Sequence, residues 1–525
     1  MPVWLSNFLP ILGLLIVVAF VLGRLPPVEG VSHSKAFRTR RVMNWLPLGL
    51  TYAFLYMGRY NLKVSKFAFE EMQATGGGDP GVLDCSASSL MGNDDFGLIF
   101  TVGVWVYGSA FLINGPLTDK VGGRFAILVG AAGSAVANLL MGLAAYSLLN
   151  QGPFHTYITE NFVLVYSVLY GINMYFQSFG AVAVVKTNAP WFHVRERGVF
   201  GAIFGILISL GIYFAFDVGY AIVRNIGLAE VFLIPAGLLA VFLVVDYFLV
   251  QNSPGEAGLV DFDTADASSG DDGPQKGAID VFKMMLTNPI ILTIAAVEFC
   301  SGFIRQAPMQ WYRTFASQTD SALQLKGDII YDNWGIWLCI AGILGGVIAG
   351  VISDRMFQSR RGPVAAVLYL GVTIGAIALY FLYETPAVEL SDGLKLSIPG
   401  VLAIVISMCV IGVHGMLSGT ASMDFGGRKN VGVAVGIIDG FVYLGTGVMS
   451  LMYSIMLPKE EFVEVNGECV LSGPVTEPSN WAPWPVSMIV IGILGFLLAT
   501  RVWNAKPKGK KSEPEPVEED DSGAT

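Results

Sequence analysis

Arg59 and Arg305 each stand inside a long apolar stretch of a chain built almost entirely of such stretches. Each follows the start of its stretch by about fifteen residues, roughly 22 Å of helix, which is mid-membrane depth. A guanidinium there keeps its proton and costs at least about 2.5–3.5 kcal/mol to place, so something anionic has to meet it. Tyr52, Tyr56 and Arg59 are spaced i, i+4, i+7 and share one helix face, pointing two phenols and a guanidinium the same way. The stretch around Arg305 reads Phe303-Ile304-Arg305-Gln306-Ala307-Pro308-Met309-Gln310-Trp311-Tyr312, which adds Gln310 as a polar candidate. Planar, permanently charged forks suit a phosphoryl group, whose oxygens accept bidentate hydrogen bonds.

Other ionisable residues share these stretches. Glu298 lies two turns before Arg305, nearly on the same face, and Asp439 and His414 occupy later apolar segments. Glu298 fits either a structural ion pair, with Arg305 or Arg313, or a gating or proton-coupling role. Asp439 divides between a cavity role and helix packing. His414, lone in an apolar helix, reads as a hydrogen-bonded packing residue.

The elements that must position these residues are transmembrane helices. The chain has 525 residues, 54% hydrophobic and 14% charged, with mean hydropathy +0.60. A soluble domain carries about 25% charged residues, so the composition excludes one large globular core. Apolar windows predict spans at 3–23, 43–64, 96–115, 125–148, 162–187, 199–217, 230–250, 290–313, 334–352, 364–383, 399–420, 433–456 and 485–503. The predicted architecture is therefore an all-α membrane protein of two pseudo-symmetric six-helix bundles, 43–250 and 290–503, preceded by one extra transmembrane anchor within 1–30.

Charge is sorted by side. Lys35, Arg38, Arg40 and Arg41, then Lys120 and Arg124, Arg195 and Arg197, Arg355, Arg360 and Arg361, Arg428 and Lys429, and Lys506 to Lys511 fall in alternate connections. The intervening loops are acidic, with Glu70, Glu71, Asp79, Asp84 and Asp94 in one and Glu460, Glu461, Glu464 and Glu468 in another. The positive-inside rule puts the basic set in the cytoplasm of an inner (plasma) membrane, with the C-terminus inside and the N-terminus on the periplasmic side. Cys85 and Cys469 fall in outer loops, where a disulfide across the mouth is chemically permitted, whereas Cys300, Cys339 and Cys409 lie within spans. Residues 251–289 read as a polar cytoplasmic linker and 504–525 as a charged, disordered tail whose lysines meet anionic headgroups.

The two halves echo each other. Gly115-Pro116-Leu117-Thr118-Asp119-Lys120-Val121-Gly122-Gly123-Arg124 follows the second helix of the first bundle, and Gly350-Val351-Ile352-Ser353-Asp354-Arg355 follows the second helix of the other. These runs, like the two arginines, are separated by roughly 240 residues, as a duplicated six-helix unit requires. Their glycines permit a tight turn, and Asp119, Arg124 and Asp354 can pair with helix ends so as to hold the inner mouth closed. The run closely resembles the loop signature of the major facilitator superfamily, across the whole twelve-helix body.

Within that superfamily the chain resembles the organophosphate:phosphate antiporters. The matching pieces are Tyr52, Tyr56, Arg59 and Asn61; Arg305 followed by Trp311; Trp191 with Glu196-Arg197-Gly198; Asp354 with Arg360-Arg361-Gly362; Lys429 with Gly432; Gly436 followed by Tyr443-Leu444-Gly445; and Asn252 to Leu259 at the start of the central loop. The resemblance implies that the two arginines bind phosphate and that Tyr52, Tyr56 and Tyr443 line the pathway. Where the family's glycerol-phosphate carrier has a lysine, a histidine and an acidic residue, this chain has Ala110, Ile208 and Cys339. The resemblance therefore implies a phosphate end that is retained and an organic end that differs.

No competing chemistry is encoded. There is no phosphate-binding loop for nucleotide and no Cys/His metal spacing, and the four histidines are scattered at His33, His155, His193 and His414. Neither a cofactor nor a metal is expected, nor an enzyme activity, nor nucleic acid. The expectation is a monomeric carrier in the bilayer that exchanges a phosphorylated organic anion for inorganic phosphate. Its rivals are a proton-coupled symporter of another organic anion, which Glu298 and Asp439 favour, and a membrane sensor of an organophosphate.

Overall fold

The computed structural model describes residues 33–72, 89–193, 197–262, 264, 280, 283, 286–357, 361–391, 393–465 and 468–504. The expected N-terminal anchor, Cys85, most of the linker and the tail beyond 504 lie outside the described residues, as does the side chain of Cys469.

Among the described residues twelve long helices follow one another. They are α1 Lys35–Glu71, α2 Asn93–Val121, α3 Gly123–Leu149, α4 Phe162–Asn188, α5 Arg197–Tyr213 and α6 Glu230–Leu249, then α7 Pro289–Gln318, α8 Trp334–Met356, α9 Arg361–Leu382, α10 Ile398–His414, α11 Ser422–Met456 and α12 Pro483–Arg501. Eleven helical stretches are long and apolar enough to cross a membrane. The exception is α1, which carries the most internal charge and is longer than the 43–64 window because its polar ends continue the helix on both sides. Ser34 caps it by accepting a hydrogen bond from the Phe37 amide at 3.1 Å.

Helices α1–α6 pack on one another, and so do α7–α12. The two sets meet mainly where α2 crosses α11 and where α5 crosses α8. Small residues allow the closest approaches. A Cβ on Gly302 would sit 1.8 Å from the Val442 carbonyl oxygen, and one on Gly445 would sit 2.0 Å from that of Phe299. The contact of α7 with α11 therefore depends on both glycines, and it brings Arg305 and Tyr443 to one place. Within α8, Gly345 approaches the Met408 carbonyl and Gly342 the Ser209 hydroxyl. Gly346 and Gly350 have nothing within 4 Å and are not packing contacts here.

Two helices change pitch. After Tyr213 the chain runs through a π-helical turn, Phe214–Val218, and after His414 through another, Gly415–Ala421. Such turns insert an extra residue and re-aim the side chains they carry. Two β-hairpins not foreseen from the sequence close loops at the acidic-loop end, Val388–Ser391 with Leu394–Leu396 and Glu461–Val465 with Glu468–Ser472.

Candidate functional site

The site is built from α1 outward. Arg59 is 1% exposed and held on every side. Its Nε donates to Oε1 of Gln177 at 3.2 Å, Nη1 to the Tyr443 hydroxyl at 3.3 Å and Nη2 to the Tyr107 hydroxyl at 2.9 Å. The guanidinium also lies over the rings of Tyr56 at 4.6 Å and Tyr107 at 4.5 Å, contacts worth about 0.5–2 kcal/mol each. Tyr52 meets Tyr56 edge-on at 5.3 Å, continuing the aromatic face predicted from the i, i+4, i+7 spacing.

The helix carrying Arg59 is fixed in turn by α4. Tyr170 donates to the Arg59 carbonyl at 3.0 Å, Asn173 to Gly58 at 2.8 Å and Gln177 to Leu55 at 2.8 Å. Tyr170, Asn173 and Gln177 form one stripe of α4, and all three are buried. Pinned carbonyls and a preformed guanidinium orientation lower the ordering needed when an anion arrives.

Arg305, from α7, is less constrained. It is half-buried, its Nε has no hydrogen-bond partner, and neither it nor Arg59 has an ion-pair partner among the described residues. Tyr443 links the two cations, bonded to Arg59 and within electrostatic reach of Arg305. Its ring packs edge-on against Tyr107 at 4.2 Å, across the two sets of helices. Gln310 is buried and donates to Gln306 at 2.9 Å, which donates to the Tyr60 hydroxyl at 3.1 Å. Oε1 of Gln310 is left without a partner. The arrangement offers two positive forks, one clamped and one free, with phenol donors between them, and can bind a compact oxyanion.

Glu298 pairs with neither arginine suggested from the sequence. Its carboxylate meets Nδ1 of His414 at 2.9 Å, while Arg313 stacks over Tyr220 at 3.6 Å and Tyr331 at 4.2 Å. His414 is thus a partner of Glu298, not a packing residue alone. Asp439 accepts a hydrogen bond from Ser418 in the second π-helical turn. Asp246, in α6, is fully buried and accepts from Thr51 at 2.6 Å.

Glu70 and Glu460, which the sequence placed in outer loops, are buried where the two sets close on each other. Lys66 pairs with Glu70 at 2.7 Å and with Glu460 at 3.1 Å. Gln318 donates to both of those carboxylates, at 2.9 and 2.6 Å, and the Asn93 amide donates to Glu460 at 2.8 Å. Lys63, one turn beyond Arg59, meets Thr314 and the rings of Phe96 and Trp311. Asp217, in the first π-helical turn, accepts from the Gly335 and Ile336 amides at 2.7 and 2.9 Å. These bonds between the two sets, with that of Gln306 to the Tyr60 hydroxyl, lie level with Arg59 or on its acidic-loop side. The structure is closed at that end.

At the opposite end Asp119 pairs with Lys186 at 2.8 Å, and Arg124 donates to Gln251 at 3.3 Å and to the Tyr247 carbonyl at 2.6 Å. These partners belong to the first bundle and the start of the linker, so in this state the pairs do not tie the two sets together. The side chain of Asp354 lies outside the described residues. Among the described residues no cluster of His, Cys, Asp and Glu has the form of a metal site.

The model of the Major Facilitator Superfamily matches residues 48–450. The glycerol-3-phosphate transporter of Bacillus subtilis (strain 168) is 24% identical over 93% of this chain and 98% of its own length. The membrane sensor protein UhpC of Salmonella typhimurium is 22% identical over 69% and 76%, and a probable hexose phosphate transport protein of Chlamydia pneumoniae is 20% identical over 91% and 95%. Among solved structures, a bacterial homologue of the human lysosomal transporter Spinster superposes with TM-score 0.60, at 13% identity, over 90% of this chain and 98% of that one.

Proposed function

The chain belongs to the Major Facilitator Superfamily, and on that premise we propose that it exchanges a phosphorylated organic anion for inorganic phosphate by alternating access. It is a membrane transporter related to glycerol-3-phosphate and hexose phosphate transporters, and the exchange and its substrate are the reading that the site supports best. The observation that carries it is the pair of guanidiniums: one from each bundle, neither in an ion pair among the described residues, with Tyr443 bonded to Arg59 and within electrostatic reach of Arg305.

The mechanism follows from that pair. Phosphate oxygens take the free fork of Arg305 and draw on Arg59, whose phenol contacts yield as the anion's stronger, charge-assisted bonds form. Each bundle then contributes one cation to one anion, so closing around the substrate is electrostatically favoured over closing empty. With the basic loops in the cytoplasm, the closed acidic-loop end faces outward. Opening it requires the Lys66, Glu70, Glu460 and Gln318 network to separate. Asp119, Arg124 and Asp354 are assigned to the opposite closure, and the organic moiety is glycerol 3-phosphate-like or a sugar phosphate.

The test is phosphate self-exchange. Liposomes holding the purified protein and loaded with unlabelled phosphate should take up labelled phosphate several-fold faster than unloaded ones. Equal rates would rule out exchange and leave the proton-coupled symporter; binding of organophosphate with no flux at all would identify a sensor.

A further inference from the structure

Beside Arg305 lies a second group of ionisable side chains that phosphate binding does not use. Glu298 is on α7, two turns toward the basic-loop end, with its side chain 0% exposed. One carboxylate oxygen meets Nδ1 of His414, at the end of α10, and the other is buried beside the Ser301 hydroxyl with no cation paired to it. The His414 side chain retains 22% exposure and the carboxylate none, so His414 is the more accessible member of the pair. Asp439 faces them from α11, held by Ser418, and Arg305 is within electrostatic reach of all three. Tyr369 from α9 and Cys300 from α7 are the other titratable groups beside Glu298. The π-helical turn begins immediately after His414 and carries Ser418, so one local change of pitch serves both contacts.

A buried carboxylate requires compensation. With the anion site empty, the nearby Arg305 supplies it. Once phosphate oxygens occupy that guanidinium, the compensation is shared, and Glu298 is left facing a further negative charge. A proton taken from water through His414 removes the conflict.

We propose that the Glu298–His414 pair binds one proton together with the phosphate-bearing anion, Asp439 holding the charge of His414, so that transport moves a proton with its substrate. The inference rests on the phosphate reading of Arg59 and Arg305. The step is a simple transfer: a proton from water adds to the Glu298–His414 pair on the open side and leaves to water on the other. Linkage is reciprocal, so anion binding raises the affinity of the pair for its proton as much as the proton raises affinity for the anion. Lower pH strengthens anion binding through this pair.

The experiment is calorimetry on the full-length protein in detergent. Inorganic phosphate is titrated near neutral pH in two buffers of different ionisation enthalpy, giving the protons taken up per phosphate bound. Phosphate's own titration is common to all variants and cancels in the difference. Wild type should take up close to one proton more than Glu298→Gln, and His414→Asn should also lower the count. The second variant decides the matter if the first does not fold. Equal proton counts in wild type and variant overturn this inference while leaving the phosphate reading intact. Absence of phosphate binding by wild type overturns both.

Discussion

Arg305→Lys separates the two arginines by their surroundings. The substitution keeps the charge and shortens the fork to a point donor. Arg305 Nε has no hydrogen-bond partner among the described residues, so the variant loses no intramolecular hydrogen bond there. Its melting temperature should stay within a few degrees of wild type. What it loses is the second of two parallel bonds to a phosphate oxygen, worth about 1.5–3 kcal/mol for a charged partner. That is roughly a 10–150-fold weaker phosphate affinity, since about 1.4 kcal/mol is tenfold. Arg59→Lys gives up its bonds to Gln177, Tyr107 and Tyr443 as well, so it should weaken binding and lower the melting temperature together. Calorimetric titration with phosphate, paired with a thermal melt followed by tryptophan fluorescence, measures both quantities. Unchanged phosphate affinity in Arg305→Lys, or equal loss of stability in both variants, would refute the assignment of Arg305 as the open fork.

Other outcomes follow from named contacts. Tyr443→Phe keeps the packing against Tyr107 and removes the hydroxyl that bridges to Arg59; phosphate KM should rise several-fold, in line with about 0.5–1.5 kcal/mol for one such bond, with stability nearly unchanged in the same melt. Lys66→Met leaves Glu70 and Glu460 buried without their cation, a loss of about 3–5 kcal/mol that should favour the outward-open state. Spin labels at the exposed positions of Glu71 and Lys326, in a background with the native cysteines replaced, should then show a longer distance population. Lys459→Ala removes the exposed pair with Asp94 and should change neither that distance nor stability by more than about 1 kcal/mol.

The helical body and the two arginines were legible because a cation in an apolar helix has few alternatives and because the halves repeat. The partners of Arg59 were not. Tyr170, Asn173 and Gln177 stand at helical spacing in α4 and could have been singled out as a polar stripe. That the stripe faces α1 depends on how the helices pack. Glu70 and Glu460 looked like loop charges because a hydropathy window ends where polar residues begin, and their burial around Lys66 arises from a contact between residues 394 positions apart. Glu298 and His414, separated by 116 positions, pair only because α7 and α10 are neighbours. Neither π-helical turn has a periodicity that marks it in the sequence. The two hairpins, with strands of three to five residues, are also too short to stand out against the loops that contain them.

The central claim is exchange of an organic phosphate against inorganic phosphate at a site shared by Arg59 and Arg305. Proteoliposomes loaded with labelled inorganic phosphate, diluted into a panel of glycerol, hexose and three-carbon acid phosphates, test it most directly. The account predicts that at least one member of the panel releases the label in near-equal exchange for its own uptake, and that Arg305→Lys slows the release at least tenfold. Release that is the same with and without external phosphate ester, or the same in wild type and Arg305→Lys, would contradict it.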